Sequence, residues 1–193
     1  MTTTPPGEYT VILEPVAVGE MLYHLLLGSA FCHFAALAHV EGQSFYAGRI
    51  GQKVFGENIT LTDDILHPEQ WGVPFDAEGV PRNSTPLIDK GVVMPPTCDR
   101  ASAGRTGFAL TGHGLPVPNT MGSASLNVVL HGGGTSIEEM VRTTKRGILV
   151  TRLWYIRLVD PADLVVTGLT RDGTFLIEDG KIVKGLRNYR FNQ

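Results

Sequence analysis

The sequence predicts an α+β fold: a large antiparallel sheet, or β-meander, with one long buried helical segment and one amphipathic helix. Three observations lead there. Residues 148–186 alternate apolar and polar in runs broken at Asp160-Pro161, Arg171-Asp172-Gly173 and Glu178-Asp179-Gly180, and Asp-Gly between such runs marks a hairpin. Ser136, with Glu139 three residues on, reads as a capping box opening a short amphipathic helix. From Pro15 to about Val40 apolar residues fall on nearly every helical face, as in a buried helix.

Glu8 to Leu13 alternates and is rich in Tyr, Thr, Val and Ile, which makes it a strand. The apolar stretch after Pro15 is one helix, or a pair broken near Gly28-Ser29. Ala47 to Phe55 passes from loop to strand, Asn58 to Leu61 is a strand, and His67 to Thr85 is loop-rich. Thr85–Ile88 and Val92–Met94 form a hairpin turned by Asp89-Lys90-Gly91. Pro95 to Pro118, punctuated by Gly and Pro, winds over the surface, and Leu126–Leu130 is a strand.

The helix from Ser136 presents Ile137, Met140 and Val141 on one face and ends at Gly147, after Lys145 and Arg146, which suit the negative end of the helix dipole. Strands follow at 148–158, 164–169, 174–177 and 181–186. Residues 87–93 and 176–182 look alike, through either an internal repeat or shared hairpin chemistry.

Composition narrows the function classes. The 193 residues suit one domain or one large part of a longer protein, and 42% hydrophobic with 18% charged residues is ordinary for a globular core. A formal net charge of -3 gives no general attraction to nucleic acid or to an anionic membrane. No apolar run spans a bilayer, and Met1 to Gly7 lacks the charge and apolar core of a signal peptide, so the expected location is the cytoplasm. Residues 1–7 read as linker-like, ahead of a domain at 8–193. Cys32 and Cys98 have no CxxC spacing and read as inert thiols.

The histidines give the clearest candidates for chemistry. His113, in Thr111-Gly112-His113-Gly114, is the best single functional imidazole, since its flanking glycines allow close backbone approach to a ligand such as a peptide; turn geometry alone also explains them. His33 and His39, among apolar neighbours, read as core or surface histidines. Glu20 and His24, four apart on the helix, fit a side-chain contact. Gly132-Gly133-Gly134-Thr135-Ser136 lacks the Gly-Lys ending of a phosphate loop. No serine has a Gly-x-Ser-x-Gly setting. Lys181, Lys184, Arg187 and Arg190, interleaved with Tyr189 and Phe191, suit either nucleic acid or a soluble sheet edge.

The run Gly147-Ile148-Leu149-Val150-Thr151-Arg152-Leu153-Trp154-Tyr155-Ile156-Arg157, with Leu169 to Ile182, resembles the C-terminal signature of the TldD/PmbA family of peptide-maturation metalloproteases, also labelled modulators of DNA gyrase. Val11-Ile12-Leu13-Glu14-Pro15, Gly48-Arg49-Ile50-Gly51, Pro74 to Gly79 and Thr111 to Gly114 extend the resemblance over nearly the whole chain. The resemblance implies that residues 1–7 correspond to an interdomain join and the rest to a C-terminal domain.

In the active branch of that family a His-Glu-x-x-x-His helix and a late-strand Cys hold zinc, leaving a position for the attacking water, with the Glu as general base. Laid on this chain, the helix motif falls on Gly19, Glu20 and His24, and the late Cys on Val150. The first His and the Cys are therefore absent, and catalytic and metal sites are expected to be none, with Glu20 and His24 as remnants. The resemblance implies the zinc-free, PmbA-like branch: no cofactor, no intrinsic hydrolysis, and a subunit that binds an extended peptide or unfolded segment as a homodimer or with a TldD-like partner, away from membrane and nucleic acid. Two alternatives stand beside it, a metallopeptidase with a rebuilt metal site and a nucleic-acid or topoisomerase-associated module.

Overall fold

The computed structural model describes Thr3–Leu27 and His33–Gln193, with only the backbone of Leu27. Cys32 and the Gly28-Ser29 break expected in the helical segment lie outside the described residues. The fold is α+β, in two compact units: residues 1–25, 134–160 and 164–193 form the first, and residues 26–133 and 161–163 the second.

The first unit is built on a five-stranded sheet in the order β1-β6-β7-β8, with β9 also paired to β7. Its strands are β1 (Thr10–Leu13), β6 (Arg146–Asp160), β7 (Val165–Glu178), β8 (Lys181–Gly185) and β9 (Arg190–Asn192). The expected meander is there, with one exception to its antiparallel pattern. β1 pairs with β6 in parallel, Thr10 opposite Gly147 and Leu13 opposite Val150. That pairing launches the first helix. The Glu14 amide donates to the Val150 carbonyl at 3.0 Å, and Pro15, whose missing N–H costs nothing at a helix start, opens α1 (Pro15–Leu22). A π-helical turn, Tyr23–Leu27, continues it.

α1 is not buried all round, contrary to expectation. Ala17, Met21 and Leu25, four apart, pack on Ile148, Val150, Leu153 and Ile156 of β6, while Val16 and Tyr23 are exposed. The segment is apolar on every side, yet only one stripe meets the sheet. The opposite face of the sheet, with Ile12, Leu149 and Ile177, is covered by Val141 and Ile137 of α4 (Ile137–Thr143). Ser136 caps α4 by accepting from the Glu139 amide at 3.2 Å. The reciprocal half of the capping box is missing because the Glu139 carboxylate is held by Arg142 at 2.6 and 2.8 Å. The helix ends at Thr143, earlier than expected, and Gly147 already lies in β6 opposite Thr10, where a side chain would strike the Thr10 carbonyl. Lys145 and Arg146 therefore lie beyond the helix and do not serve its dipole.

Arg171-Asp172-Gly173 does not turn the chain. It is a bulge within β7, where Val150 faces Thr174 but Arg152 faces Arg171, one residue too many on β7, with Asp172 at φ 63°. β6 carries a matching irregularity. Trp154 faces Leu169 and Arg157 faces Thr167, so one extra residue sits on β6, with Tyr155 at φ 54°.

The second unit holds a four-stranded sheet in the order β4-β3-β2-β5: β2 (Leu61–Asp63), β3 (Thr85–Asp89), β4 (Val92–Val93) and β5 (Val128–Leu130). β2 starts where the expected strand 58–61 ends, and 47–55 contributes only a bridge between Lys53 and Val92. Two short helices, α2 (Ala36–Val40) and α3 (Arg100–Thr106), complete the unit. The stretch from Pro95, expected as surface loop, contains α3. Asp99 caps it by accepting from the Ser102 amide at 3.2 Å, and Gly107 in the left-handed region ends it. Phe34, Phe45, Tyr46 and Phe55 pack edge to face with centroids 5.3–6.0 Å apart, the favoured geometry for aromatic quadrupoles.

The look-alike segments 87–93 and 176–182 are hairpins in different units, each with two central residues in the left-handed region: Lys90 and Gly91, Asp179 and Gly180. At Gly180 a Cβ would also lie 2.5 Å from the Arg142 carbonyl, whereas at Gly185 it would meet nothing. Gly180→Ala is expected to cost more than about 1 kcal/mol in urea unfolding, and Gly185→Ala to stay within about 0.5 kcal/mol of wild type. Equal effects at the two positions would contradict the turn assignment.

Candidate functional site

The functional residues expected on α1 lie against β6. Glu20 reaches the strand with both oxygens: Oε1 accepts from Arg152 Nε at 2.9 Å, and Oε2 from the Leu153 amide at 2.7 Å. Arg152 in turn contacts Asp172 of the β7 bulge at 3.4 Å. His24, in the π turn, meets the Tyr23 ring edge to face. Burial, then the positive charge of Arg157, lower the His24 pKa against the opposing pull of Glu20, so its imidazole is neutral at neutral pH. Glu20, His24, Trp154, Tyr155 and Arg157 border a hollow of about 290 Å³. Val150 lies in the core on which Ala17, Met21 and Leu25 pack. It is buried and lines a larger cavity of about 940 Å³, bounded also by Tyr9, Val11, Leu13 and Tyr189. Thr4, from the stretch read as linker-like, donates its amide to the Tyr189 hydroxyl at 2.9 Å.

His113 belongs to the second unit and is buried with a second carboxylate. Asp63 accepts from Arg82 Nη2 at 2.8 Å and from the Asn127 amide at 3.0 Å. His113 Nε2 lies 3.2 Å from the same Asp63 oxygen that Arg82 holds, within ion-pair reach but without the alignment of a good hydrogen bond. Its Nδ1 is 2.9 Å from the Thr111 hydroxyl. Burial is the largest influence on Asp63 and opposes its charge, but His113, Asn127 and Arg82 together hold its pKa below the ordinary value. The two glycines beside His113 serve this packing. Gly112 is left-handed and lies against the Pro81 carbonyl, and a side chain at Gly114 would strike Glu78. The Gly114 amide also donates to Asp76 at 2.8 Å. The imidazole is thus enclosed rather than displayed.

The family model for the PmbA/TldA metallopeptidase C-terminal domain matches residues 6–193. The chain belongs to this family. A metalloprotease of Methanocaldococcus jannaschii is 30% identical over 151 residues, covering 76% of this chain and 32% of that protein. A TldD homologue described as a metalloprotease, from Haemophilus influenzae, is 25% identical over 184 residues, covering 91% and 37%. Among solved structures, TldE from Thermococcus kodakarensis aligns with TM-score 0.80 at 27% identity, over 95% of this chain and 41% of that one. A Thermotoga maritima protein described as a modulator of a DNA gyrase shares the fold, with TM-score 0.86 at 22% identity over 100% and 43%. The chain thus spans about a third of the length of the two metalloprotease relatives.

Within the PmbA/TldA frame, the donors expected of a zinc site do not come together. Position 19 is glycine and offers no ligand, Val150 offers no sulfur and lines the other cavity, and His24 stands as one imidazole beside a glutamate whose oxygens are engaged. These residues do not fit the three-ligand set that zinc requires. Among the described residues, His33, His39, Cys98 and His113 included, no three His, Cys, Asp or Glu side chains converge. His33 Nδ1 lies 3.3 Å from the Ser44 hydroxyl, and burial pushes its pKa down to about 4. His39 packs between Tyr46 and Phe108. The Cys98 thiol is buried, which raises its pKa and keeps it protonated. Tyr189 and Phe191, the aromatic residues of the basic tail, pack on the core of the first unit instead of offering faces to bases.

Arg152, Asp63, Arg82 and Asn127 carry no signal in the sequence. No local spacing joins Asp63 to Arg82 or Glu20 to Arg152; tertiary pairing alone does.

Two buried groups bear on stability. His33 titrates below its ordinary value of about 6.5, so its contribution is complete above pH 6.5 and is lost as pH falls from there toward about 4, by up to about 3 kcal/mol. Urea unfolding across that window should show the loss, and His33→Gln should flatten it; an unchanged slope would remove His33 as the cause. Asp63→Asn, which leaves Arg82 buried without its counter-charge, is expected to cost about 3–5 kcal/mol. A loss under about 1 kcal/mol in the same measurement would mean that the pair is solvated.

Proposed function

We propose that this domain is a metal-free homologue of the family's zinc peptidases, serving as a peptide-binding or partner subunit in peptide maturation. The observation that carries the reading is the capture of Glu20. Its carboxylate accepts from a guanidinium with one oxygen and from a strand amide with the other, which holds it against β6 instead of leaving it free to turn toward a substrate water. The missing donors at Gly19 and Val150 point the same way. The similarity to TldE is the basis for proposing a homodimer or a TldD-like partner.

Peptide binding is supported by the edge of the first sheet. Among the described residues β1 pairs on one side only, with β6, and Val11 and Leu13 on it border the larger cavity. An extended segment can add there as a further strand through backbone hydrogen bonds, with apolar side chains entering the cavity.

The test is metal content by plasma mass spectrometry on protein purified without chelator or metal-binding tag, together with hydrolysis of unfolded protein. The expected result is zinc far below one per chain and no cleavage, with Glu20→Gln leaving peptide affinity within about twofold of wild type. About one zinc per chain retained on dialysis, or a hydrolytic activity lost in Glu20→Gln, would replace this reading with that of an active peptidase.

A further inference from the structure

We propose that the hollow between the π turn after α1 and the bulge of β6 receives the C-terminal carboxylate of an extended peptide, with Arg157 as its ionic partner and His24 beside it. This deepens the peptide-binding reading and rests on it. The first support is charge. Around the hollow Glu20 is held by Arg152, and Asp172 lies against Arg152 and Arg171 at 3.4 and 3.5 Å. Arg157 forms no ion pair among the described residues. Its guanidinium lies over the Tyr155 ring, 4.2 Å from the centroid, and Nη1 donates to the Ile156 carbonyl at 3.0 Å. Stacking occupies a face of the guanidinium and leaves in-plane donors, the geometry in which arginine grips a carboxylate.

The second support is shape. The extra residue in β6 puts Tyr155, a bulky aromatic, at φ 54°, a region that such residues rarely enter. Bulges of this kind re-aim side chains near binding sites, and here Trp154, Tyr155 and Arg157 all border the same hollow. A volume of about 290 Å³ suits a terminal residue better than a long segment. The third support is polarity. His24 borders the hollow, and its ring offers an N–H able to donate to an oxyanion. The Glu20 carboxylate at the rim disfavours a phosphate dianion relative to a singly charged carboxylate.

The experiment is calorimetric titration of the protein with N-acetylated Ala-Val-Thr-Ala-Ala as free acid and as C-terminal amide, with sodium acetate and inorganic phosphate as competitors. The free acid is expected to bind roughly 10- to 100-fold tighter than the amide, the range of a hydrogen bond to a charged group. Arg157→Gln should abolish that difference without changing amide affinity, and Arg157→Lys should retain part of it. Equal affinity of acid and amide overturns the carboxylate site and leaves the peptide-binding reading standing. Absence of binding by either peptide ends both. Phosphate competing as well as the free acid would make the hollow a general anion site and overturn the assignment to a peptide terminus, as would a difference that survives in Arg157→Gln.

Discussion

A carboxylate has two oxygens, and on Glu20 each is committed to β6, one to the Arg152 guanidinium and one to the Leu153 amide. Much of the surrounding arrangement depends on that bridge. It fixes the rotation of α1 about its axis, so that Ala17, Met21 and Leu25 face the sheet while Val16 and Tyr23 face away. It satisfies a strand amide beside the irregular stretch of β6. Arg157, which borders the hollow beside Glu20, forms no ion pair among the described residues. Glu20 thus braces α1 against β6.

The second unit solves a similar problem under harsher conditions. Asp63 is fully buried, and an unpaired buried carboxylate would be intolerable, so Arg82, His113 and the Asn127 amide converge on it. The Glu20 bridge is half-exposed, where water and salt screen an ion pair, so its value lies in geometry more than in energy. At Asp63 energy and geometry cannot be separated, because losing the Arg82 guanidinium strands a buried charge. This also accounts for Gly112 and Gly114, whose permissive backbone lets the His113 loop close down between Pro81 and Glu78.

Local signals survived best the passage from sequence to structure. The capped helix at Ser136, the paired Lys90-Gly91 and Asp179-Gly180 turns and the late meander all rest on residues within a few positions of one another. Where tertiary contacts decide, reading the sequence was less accurate. Asp172-Gly173 has the composition of a turn, but the long ladder between β6 and β7 carries the chain straight through it. The apolar run after Pro15 predicted burial; on α1 only the stripe that reaches β6 is covered, whereas Phe34, Ala35, Ala36 and Ala38 further along are buried. α3 was hidden among glycines and prolines because its cap, Asp99, lies in a stretch without apolar periodicity. At the site, Glu20 and His24 came from family resemblance, but the partners of Glu20 are more than a hundred positions away, beyond any spacing argument.

The long β6–β7 ribbon explains why chemistry gathers where it does. Strands of 15 and 14 residues twist strongly, and a ladder that long accommodates the twist through bulges. The ladder has three, one on β7 and two on β6, and two of them place a non-glycine residue in the left-handed region, Asp172 on β7 and Tyr155 on β6. Such conformations persist only where their surroundings enforce them. For Asp172 the enforcing contacts are visible: Arg152 and Arg171 hold its carboxylate. For Tyr155 the neighbour is the Arg157 guanidinium over its ring, whose Nη1 donates to the Ile156 carbonyl. The strained residue and its arginine both border the hollow, so the bulge places its strain where the proposed peptide terminus would sit.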